Sequence, residues 1–243
     1  MADATQGIKI AWRQKMRKYE VPHNYPGKLI IVEGIDGSGK STQLKLLQEW
    51  LKNQGYHVFF TEWNSSDLVN ATIKRGKKKN LLTPITFSIL HAIDFSDRLY
   101  HLIFPPLKAG MIVLADRYIY TAFARDSVRG VDREWVRDLY GFALKPDIAF
   151  YFKVTTDVSI KRILTGRQNL KYYEAGMDMR FSDDPVESFK IFQGKILEEY
   201  EKIANEFNLT IIDATKNINS QQEIVRNTVK KILENYNPEP IIK

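Results

Sequence analysis

The 243-residue sequence contains no cysteine. Disulfide bonds, thiolate catalysis and thiolate metal sites are therefore excluded, and an intracellular setting fits this composition. The sequence also lacks any apolar run near the roughly 18 to 20 residues of a membrane span, and its N-terminal stretch lacks the apolar core of a secretory signal. We therefore expect a soluble, cytoplasmic protein with no membrane partner.

The composition is that of a folded chain. Hydrophobic residues make up 44% and charged residues 27% of the sequence, which argues against disorder. A chain of 243 residues suffices for one α/β domain with a hydrophobic core and is short for two. We therefore expect one domain with added segments.

The formal net charge of +7 is concentrated in two places. Residues 1–27 carry five basic against two acidic residues, and Lys74–Lys79 contains five basic residues. This distribution suits either a phosphate-rich ligand or an ordinary solvated surface. No fold signature or aromatic stacking pattern indicates nucleic-acid binding. Residues 1–27 end in a turn-rich stretch and are predicted to be a basic N-terminal arm ahead of a domain at 28–243.

Five short apolar runs, separated by helix-length amphipathic stretches, set the rhythm of the sequence: Leu29–Val32, Val58–Phe60, Met111–Ala115, Ile148–Val154 and Leu209–Ile212. Nearly continuous aliphatic and aromatic residues in such runs are typical of strands that are buried on both faces. The sequence therefore predicts an α/β fold of three layers, with a doubly wound, parallel five-stranded sheet between helices.

Helices are predicted in the intervals between these runs. Leu44, Leu47 and Leu51 recur at helical spacing, and Gly55 follows at a plausible C-cap position. Asp184-Pro185-Val186-Glu187 combines a capping residue, a proline at the first helical position and a glutamate three residues after the cap. It predicts a long helix that runs to about residue 205. Further helices are predicted at 84–101, 132–144, 157–165 and 220–235.

The strongest local signal is Gly34-Ile35-Asp36-Gly37-Ser38-Gly39-Lys40-Ser41, a complete Walker A motif between a buried strand and an amphipathic helix. Glycines let successive backbone N–H groups turn toward one centre, where they bind phosphate beside the positive end of the helix. Lys40 adds a full charge for the β and γ phosphates, and the Ser41 hydroxyl is placed to ligate magnesium.

A second signal, Asp116-Arg117-Tyr118, follows the Met111–Ala115 run directly. In doubly wound sheets, ligands bind outside the carboxyl ends of the strands, so this segment should face the same crevice as the phosphate loop. Asp116 is then a candidate for holding the water shell of magnesium, and Arg117 for binding an anionic acceptor. The two signals together predict a phosphotransferase.

These residues resemble the thymidylate kinase family. The first strand with Gly34–Thr42 looks like the family's opening, Asp116-Arg117-Tyr118 resembles its Asp-Arg-Tyr/His motif, and Ile211–Thr215 resembles its last strand. The likeness runs from about residue 28 to 235, and residues 1–27 have no counterpart in the family. It implies a P-loop NTPase fold of the nucleoside monophosphate kinase type, ATP as donor, Mg²⁺, dTMP as acceptor and a homodimer.

The resemblance also implies roles for individual residues. The ATP phosphates would be bound by Gly34, Asp36, Gly37, Ser38, Gly39, Lys40, Ser41 and Thr42. The acceptor would meet Asp36 near its sugar, Arg117 at its phosphate and Arg98 at its base, with Glu62, Tyr118 and Thr121 also in the site. A mobile lid at about 162–180 would supply Arg162, Arg167 and Arg180. Lys40, Arg117 and Arg167 would be the catalytic residues, and Ser41 and Asp116 the metal site.

Three segments depart from the family pattern, all of them in the acceptor half. Trp63-Asn64-Ser65-Ser66 stands where the family usually has Pro-Gly-Gly or similar. Asp94 stands where an aromatic residue usually precedes the base-contacting arginine, with Phe95 one place late. Ala124-Arg125-Asp126 replaces an Ala-Tyr-Gln run. ATP use is therefore better supported by the sequence than the choice of acceptor.

Two alternatives remain open at this stage. The Lys74–Lys79 cluster, Arg125 and Arg129 would suit a polyphosphate or other polyanionic acceptor. The altered acceptor motifs would also suit a nucleotide-binding regulator that has lost efficient transfer. The 4 histidines form no evident Ser/His/Asp array. That does not argue against a kinase, because phosphoryl transfer needs positioning and charge more than a nucleophilic side chain.

Overall fold

The computed structural model describes residues 21–234 and 236, so most of the predicted N-terminal arm, residues 1–20, lies outside the described part of the chain. One parallel sheet forms its centre, with strand order β2-β3-β1-β4-β5. The strands are β1 (Lys28–Glu33), β2 (Val58–Glu62), β3 (Ile112–Asp116), β4 (Ile148–Lys153) and β5 (Thr210–Asp213). Each lies on one of the five predicted apolar runs, so the predicted doubly wound α/β sheet is confirmed.

Nine helices are found among the described residues: α1 (Lys40–Asn53), α2 (Asn70–Lys78), α3 (Pro84–Arg98), α4 (Phe104–Lys108), α5 (Ile119–Val128), α6 (Arg133–Leu139), α7 (Thr156–Gly166), α8 (Pro185–Phe207) and α9 (Ile218–Leu233). Helix α1 packs against α9, and α5 packs against α8. A π-helical turn joins α3 to α4, and a 3-10 turn lies between α7 and α8. None of the helices at positions 21–234 combines the length and apolar character needed to cross a bilayer.

The start of α8 follows the predicted capping signal. The Asp184 carboxylate accepts a hydrogen bond from the Glu187 amide at 2.8 Å, and Pro185 occupies the first helical position. Such a cap satisfies one of the amide groups that the first turn of a helix leaves without an intrahelical partner. Helix α8 ends at Asn208, which has a left-handed backbone with φ of 54°.

The predicted helix at 132–144 is wrong beyond Leu139, where α6 ends. The chain turns there so that the Val21 amide can donate to the Ala143 carbonyl at 2.7 Å and the Lys145 amide to the Val21 carbonyl at 2.9 Å. These bonds form a parallel bridge outside the main sheet. Hydrogen bonds between Val21 and residues 143–145 therefore take the place of the last predicted helical turn.

Residues 21–27 pack on the domain, although the sequence suggests that they belong to an appended arm. Besides the bridge of Val21, the His23 imidazole lies 3.4 Å from the Asp147 carboxylate. Gly27 lies against the segment that leads into β3, so close that a Cβ atom on it would be 2.4 Å from the Met111 carbonyl oxygen. These contacts attach residues 21–27 to the domain.

The register of the central strands positions the site. Strand β1 lies between β3 and β4, and Val32 of β1 is paired with Asp116 of β3. All strands run parallel, so the segments that follow β1 and β3 emerge side by side at the same edge. The loop after Glu33 and the segment after Asp116 therefore meet.

Candidate active site

The phosphate loop connects β1 to α1. Gly34, Gly37 and Gly39 have positive φ angles of 145°, 75° and 87°, a region that side chains with a Cβ rarely adopt. A Cβ at Gly37 would also lie 2.6 Å from the Ser159 carbonyl oxygen. The loop thus needs glycine both for its backbone angles and for its close approach to α7.

Lys40 is the first residue of α1 and points its amine toward the loop. The side chain is buried, and Nζ donates a long hydrogen bond of 3.4 Å to the Ile35 carbonyl. Burial, followed by repulsion from Arg117, lowers the pKa of the Lys40 amine to about 8. Amides of the first helical turn and this ammonium together form an anion site.

Ser41 and Asp116 meet at the same edge. The Ser41 hydroxyl donates to Oδ2 of Asp116 at 2.6 Å. The other carboxylate oxygen, Oδ1, is buried and has no hydrogen-bond partner among the described residues. A buried, unpartnered carboxylate oxygen is costly unless something else binds it. The hydroxyl and carboxylate are oxygen donors of the kind that Mg²⁺ prefers, so these residues fit the ion.

Asp36 of the phosphate loop pairs with two arginines, Arg117 and Arg125. Arg117 donates to Asp36 Oδ1 at 2.5 Å, and Arg125 donates to Asp36 Oδ2 at 2.6 Å. Burial alone would raise the pKa of Asp36, but Arg125, Arg117 and Lys40 hold it far below its usual range. Two guanidinium groups against one carboxylate leave excess positive charge, which is suited to an anionic ligand.

Arg117 adopts a left-handed backbone with φ of 71°, which is uncommon for a residue with a side chain. Its Nη1 donates to the Gly34 carbonyl at 3.1 Å and to the Thr121 hydroxyl at 3.3 Å. Backbone strain of this kind persists only where the surroundings enforce it. The geometry therefore directs the Arg117 guanidinium back across the phosphate loop.

Glu33 fixes this turn from within the core. The carboxylate is fully buried and accepts hydrogen bonds from the Tyr118 amide at 2.8 Å, the Thr121 hydroxyl at 2.6 Å and the Tyr200 hydroxyl at 2.9 Å. Burial raises the pKa of Glu33, and these donors together with Arg117 oppose the shift. One side chain thereby joins the end of β1, the start of α5 and α8.

A cavity of about 480 Å³ opens beside Asp36 and Arg117. Six basic and two acidic side chains line it, so its charge is strongly positive. The basic ones are Lys77, Lys78, Arg117, Arg125, Arg129 and Lys171, and the acidic ones are Asp36 and Glu174. We call this cavity the acceptor pocket, because its charge would suit an anionic acceptor.

Four residues that the resemblance places at the acceptor do not line this pocket. Arg98 and Tyr118 are both 0% exposed. The Tyr118 hydroxyl donates to the Leu144 carbonyl at 2.9 Å, so its ring lies in the core. Thr121 is buried against Glu33, and Glu62 is exposed at the end of β2. Only Asp36 and Arg117 of that set line the pocket.

Trp63 and Asp94 explain the burial of Arg98. The Arg98 guanidinium lies 5.7 Å from the centre of the Trp63 ring, and Nε donates to the Thr61 hydroxyl at 3.3 Å. Asp94 accepts hydrogen bonds from the amides of Asn64 at 3.0 Å and Ser66 at 2.9 Å. Two departures from the family pattern are therefore one structural unit, in which Asp94 holds the altered turn and the turn covers Arg98.

The predicted lid residues occupy three different settings. Arg162 lies within α7 and donates to the carbonyls of Ser38 at 3.2 Å and Ala214 at 2.8 Å. Arg167 follows α7 and pairs with Glu174, and Arg180 is exposed with a left-handed φ of 54°. The irregular part of the segment therefore begins at 167, because residues 162–166 are helical. Arg162 also borders a second cavity of about 1010 Å³ beside Ser38 and Thr215.

Sequence reasoning assigned no site role to Phe87 or Tyr173, and considered Arg125 and the Lys74–Lys79 cluster only for a polyanionic acceptor; Phe87, Tyr173, Arg125 and Lys77 all line the acceptor pocket. Arg125 had a usable signal, because Thr121 and Arg125 are four residues apart and therefore share one face of α5. Phe87 and Tyr173 had none, since they come from distant segments that only the fold brings together.

Asp126 follows Arg125 and turns into the core, where its Oδ2 accepts from the Ser88 hydroxyl at 2.6 Å. Burial raises the pKa of Asp126 to about 6, with the Ser88 hydrogen bond opposing the shift. The Asp126 carboxyl group therefore stays protonated to a higher pH in the folded chain than in the unfolded chain. The associated stability is full below about pH 4 and is lost as the pH rises through about 6.

Replacing Asp126 with Asn is therefore expected to raise the free energy of unfolding at pH 7 by on the order of 2 kcal/mol, with little change at pH 4. The amide oxygen can still accept from Ser88. Urea unfolding at the two pH values measures the effect, with Asp183→Asn at an exposed position as the control. Equal effects of Asp126→Asn at both pH values would contradict the assignment.

Comparison with known proteins gives a consistent family. A family model described as thymidylate kinase matches residues 32–225. A probable thymidylate kinase 2 of Saccharolobus solfataricus is 46% identical over 210 residues, which cover 86% of this chain and 98% of the relative. A probable thymidylate kinase of Thermococcus kodakarensis is 35% identical, covering 84% and 96%. For a thymidylate kinase of Brachyspira hyodysenteriae, the values are 29% identity, 84% and 94%.

The match includes the phosphate loop, the Asp116-Arg117-Tyr118 segment and most of the sheet. The extent of the family match, the identity to these relatives and the site geometry all point to the same family. The chain therefore belongs to the thymidylate kinase family of P-loop nucleoside monophosphate kinases.

Proposed function

We propose that the protein transfers the terminal phosphoryl group of ATP to dTMP, giving ADP and dTDP. The observation that carries this proposal is the meeting of a phosphate loop with a cationic pocket at one sheet edge, joined by Asp36 and Arg117. The family's own activity supports dTMP over a polyphosphate acceptor or a regulatory role. We also propose a cytoplasmic setting, without membrane or nucleic-acid partners.

The ATP phosphates would lie on the amides of residues 37–42, with the Lys40 ammonium at the β and γ phosphates. The adenosine would occupy the larger cavity, between Arg162 and the loop Thr215–Ile218. Arg162 is held there by its bonds to the Ser38 and Ala214 carbonyls. A guanidinium fixed in this way presents a flat face on which a base can stack.

Ser41 and Asp116 would hold Mg²⁺, through the hydroxyl and through the water shell of the ion. The buried, unpartnered Oδ1 of Asp116 supports this role. When bound, the ion supplies positive charge to the phosphate oxygens.

Arg117 and Arg125 would hold the acceptor phosphate between them, with Asp36 fixing both guanidinium groups. A phosphate monoester has a second pKa of about 6, so it is largely dianionic at neutral pH and needs no strong general base. Its oxygen forms a bond to the γ phosphorus as the bond between that phosphorus and the bridging oxygen of ADP breaks. Lys40 stabilises the charge that moves onto the ADP oxygens.

Residues 167–180 would close over the phosphates as a lid, bringing Arg167 or Arg180 to the transferring group. Arg167 is paired with Glu174, so on closure its guanidinium would have to leave that carboxylate and bind phosphate instead. Closure would also exclude water, which competes with the acceptor for the γ phosphate.

An acceptor panel tests the proposal. ADP formation from ATP and Mg²⁺ is measured with dTMP, dUMP, dCMP, dGMP and short-chain polyphosphate, and again after chelation of the metal. We expect turnover well above ATP hydrolysis with dTMP, and none after chelation. Tight ATP binding without turnover of any acceptor would favour a regulator instead. Transfer to polyphosphate, weakening steeply with salt, would favour the polyanion alternative.

A homodimer is part of the proposal. Ile85, Ile89 and Ile93 of α3 are 56%, 41% and 37% exposed and recur every four residues, so they form one apolar stripe. Exposed apolar patches of this kind mark contact surfaces. The stripe would pack on the same stripe of a second copy, as a two-fold interface requires.

Ile89→Asp is accordingly expected to convert the dimer to a monomer, because a carboxylate would be buried without a partner in the interface. Sedimentation velocity at micromolar concentration measures the state. Ile224→Asp serves as the control, since Ile224 is similarly exposed, at 39%, but lies on α9. A wild-type monomer, or an Ile89→Asp variant that remains dimeric, would contradict this interface.

A further inference from the structure

Two aromatic rings face each other in the acceptor pocket. Phe87 lies on α3 and Tyr173 lies in the proposed lid, and both line the cavity. Their ring centres are 5.5 Å apart and their planes differ by 12°, so they are stacked. Phe87 is 4% exposed although it lines the pocket. We call this pair the aromatic slot.

The pocket lacks the base contact that the family likeness implies. Arg98 is buried under Trp63, and Asp94 is occupied with the backbone of residues 64–66. Whatever base enters the pocket must therefore be bound by other side chains. Phe87 lies about two helical turns before Asp94 on the same helix, on the wall of the cavity.

Arg129 ties the lid side of the slot to α5. Its Nε donates to Asp178 at 2.8 Å, and Nη2 donates to the Tyr173 carbonyl at 3.0 Å. The guanidinium also lies 4.9 Å from the Phe87 ring centre and 4.7 Å from that of Phe192. The backbone of Tyr173 is therefore held beside Phe87 by a buried cation.

We propose that Phe87 and Tyr173 are the two faces of the site for the acceptor's base, and that the rings part to admit it. This inference rests on the proposed function and deepens it. A flat base between two rings needs a separation of about 7 Å, twice the usual contact distance, so the slot at 5.5 Å is closed. Acceptor binding therefore moves Tyr173, and with it the lid.

Lys77 lies over the Phe87 ring of the slot. Its Nζ lies 5.1 Å from the Phe87 ring centre, and the side chain lines the pocket. A pyrimidine placed on Phe87 would present its carbonyl oxygens to donors in this region. The slot thus combines a stacking surface with a hydrogen-bond donor, as base recognition requires.

The test separates the base from the phosphate. The dissociation constants of 2-deoxyribose 5-phosphate and of dTMP are measured by isothermal titration calorimetry for wild type, Tyr173→Ala and Tyr173→Phe. The ratio of the two constants reports what the base contributes. We expect the ratio to fall roughly 10-fold in Tyr173→Ala, with little change in Tyr173→Phe, which keeps the ring. Tyr100→Ala, at a 55% exposed tyrosine outside the pocket, is the control.

Tyr173 is partly exposed, so its truncation should leave the fold intact. An unchanged ratio in Tyr173→Ala would overturn the slot, and if both ligands also weakened equally, the role of Tyr173 would be merely structural. Both constants are measured without turnover. Lack of phosphoryl transfer by the wild type would count against the proposed function, whereas an unchanged ratio in an active enzyme would count against the slot alone.

Discussion

Lys40→Ala is expected to lower kcat by on the order of 10²–10³ while leaving the fold intact. The amine lies against the Ile35 carbonyl inside the phosphate loop, and burial together with Arg117 lowers its pKa to about 8. Bound phosphates would stabilise the charged form. Its removal takes away a preorganised charge at the transferring group without opening the apolar core.

Steady-state kinetics with dTMP and ATP measure this loss, and circular dichroism reports the fold. Lys52→Ala is the matched control, because Lys52 is an exposed lysine in the last turn of the same helix. If Lys40→Ala retained near-wild-type turnover with an unchanged spectrum, Lys40 would have no part in the chemistry.

Arg117→Gln is expected to lower kcat/KM for dTMP by on the order of 10²–10³, because it removes a charged, forked donor from a desolvated site. The KM for ATP should change little, since the cavity proposed for the adenosine shares no lining residue with the acceptor pocket. Asp36 would keep Arg125 as a partner at 2.6 Å, so the variant does not leave a buried carboxylate unpaired.

Arg117→Lys and Arg125→Gln sharpen this experiment. Lysine keeps the charge but loses the fork, so an intermediate loss is expected. Arg125→Gln should weaken dTMP binding less, since among the described residues the Arg125 side chain hydrogen-bonds Asp36 alone, whereas the Arg117 side chain also donates to Gly34 and Thr121. A parallel loss of ATP affinity in Arg117→Gln would point to disruption of the loop and not to acceptor binding.

The sheet and the phosphate loop were readable from the sequence for physical reasons. Strands buried on both faces need unbroken apolar runs, and the loop is a local motif whose glycines and lysine are contiguous. Helix α5 was not predicted, and seven of its ten residues are buried, so it lacks the broad exposed polar face by which a surface helix is recognised. Helix α2 was not predicted either, because it is rich in lysine and buries only Ile73 and Gly76, which is too little to form a recognisable apolar face.

The acceptor side could not be read in the same way. The resemblance placed Arg98 and Tyr118 there, but whether a side chain reaches a pocket depends on what covers it. Trp63 covers Arg98, and the Leu144 carbonyl draws the Tyr118 hydroxyl into the core. Neither contact follows from local sequence, because the partners lie 35 and 26 residues away along the chain.

Asp94 constrains how the sequence near the acceptor can change. Its two oxygens accept the amides of Asn64 and Ser66, and Asn64 has a left-handed φ of 61°. An aromatic residue at 94 would leave both amides without this acceptor, and a proline at 64 or 66 would remove one of the donors. Because the donors belong to the backbone, the turn can exchange most of its side chains and keep its shape as long as position 94 remains an acceptor.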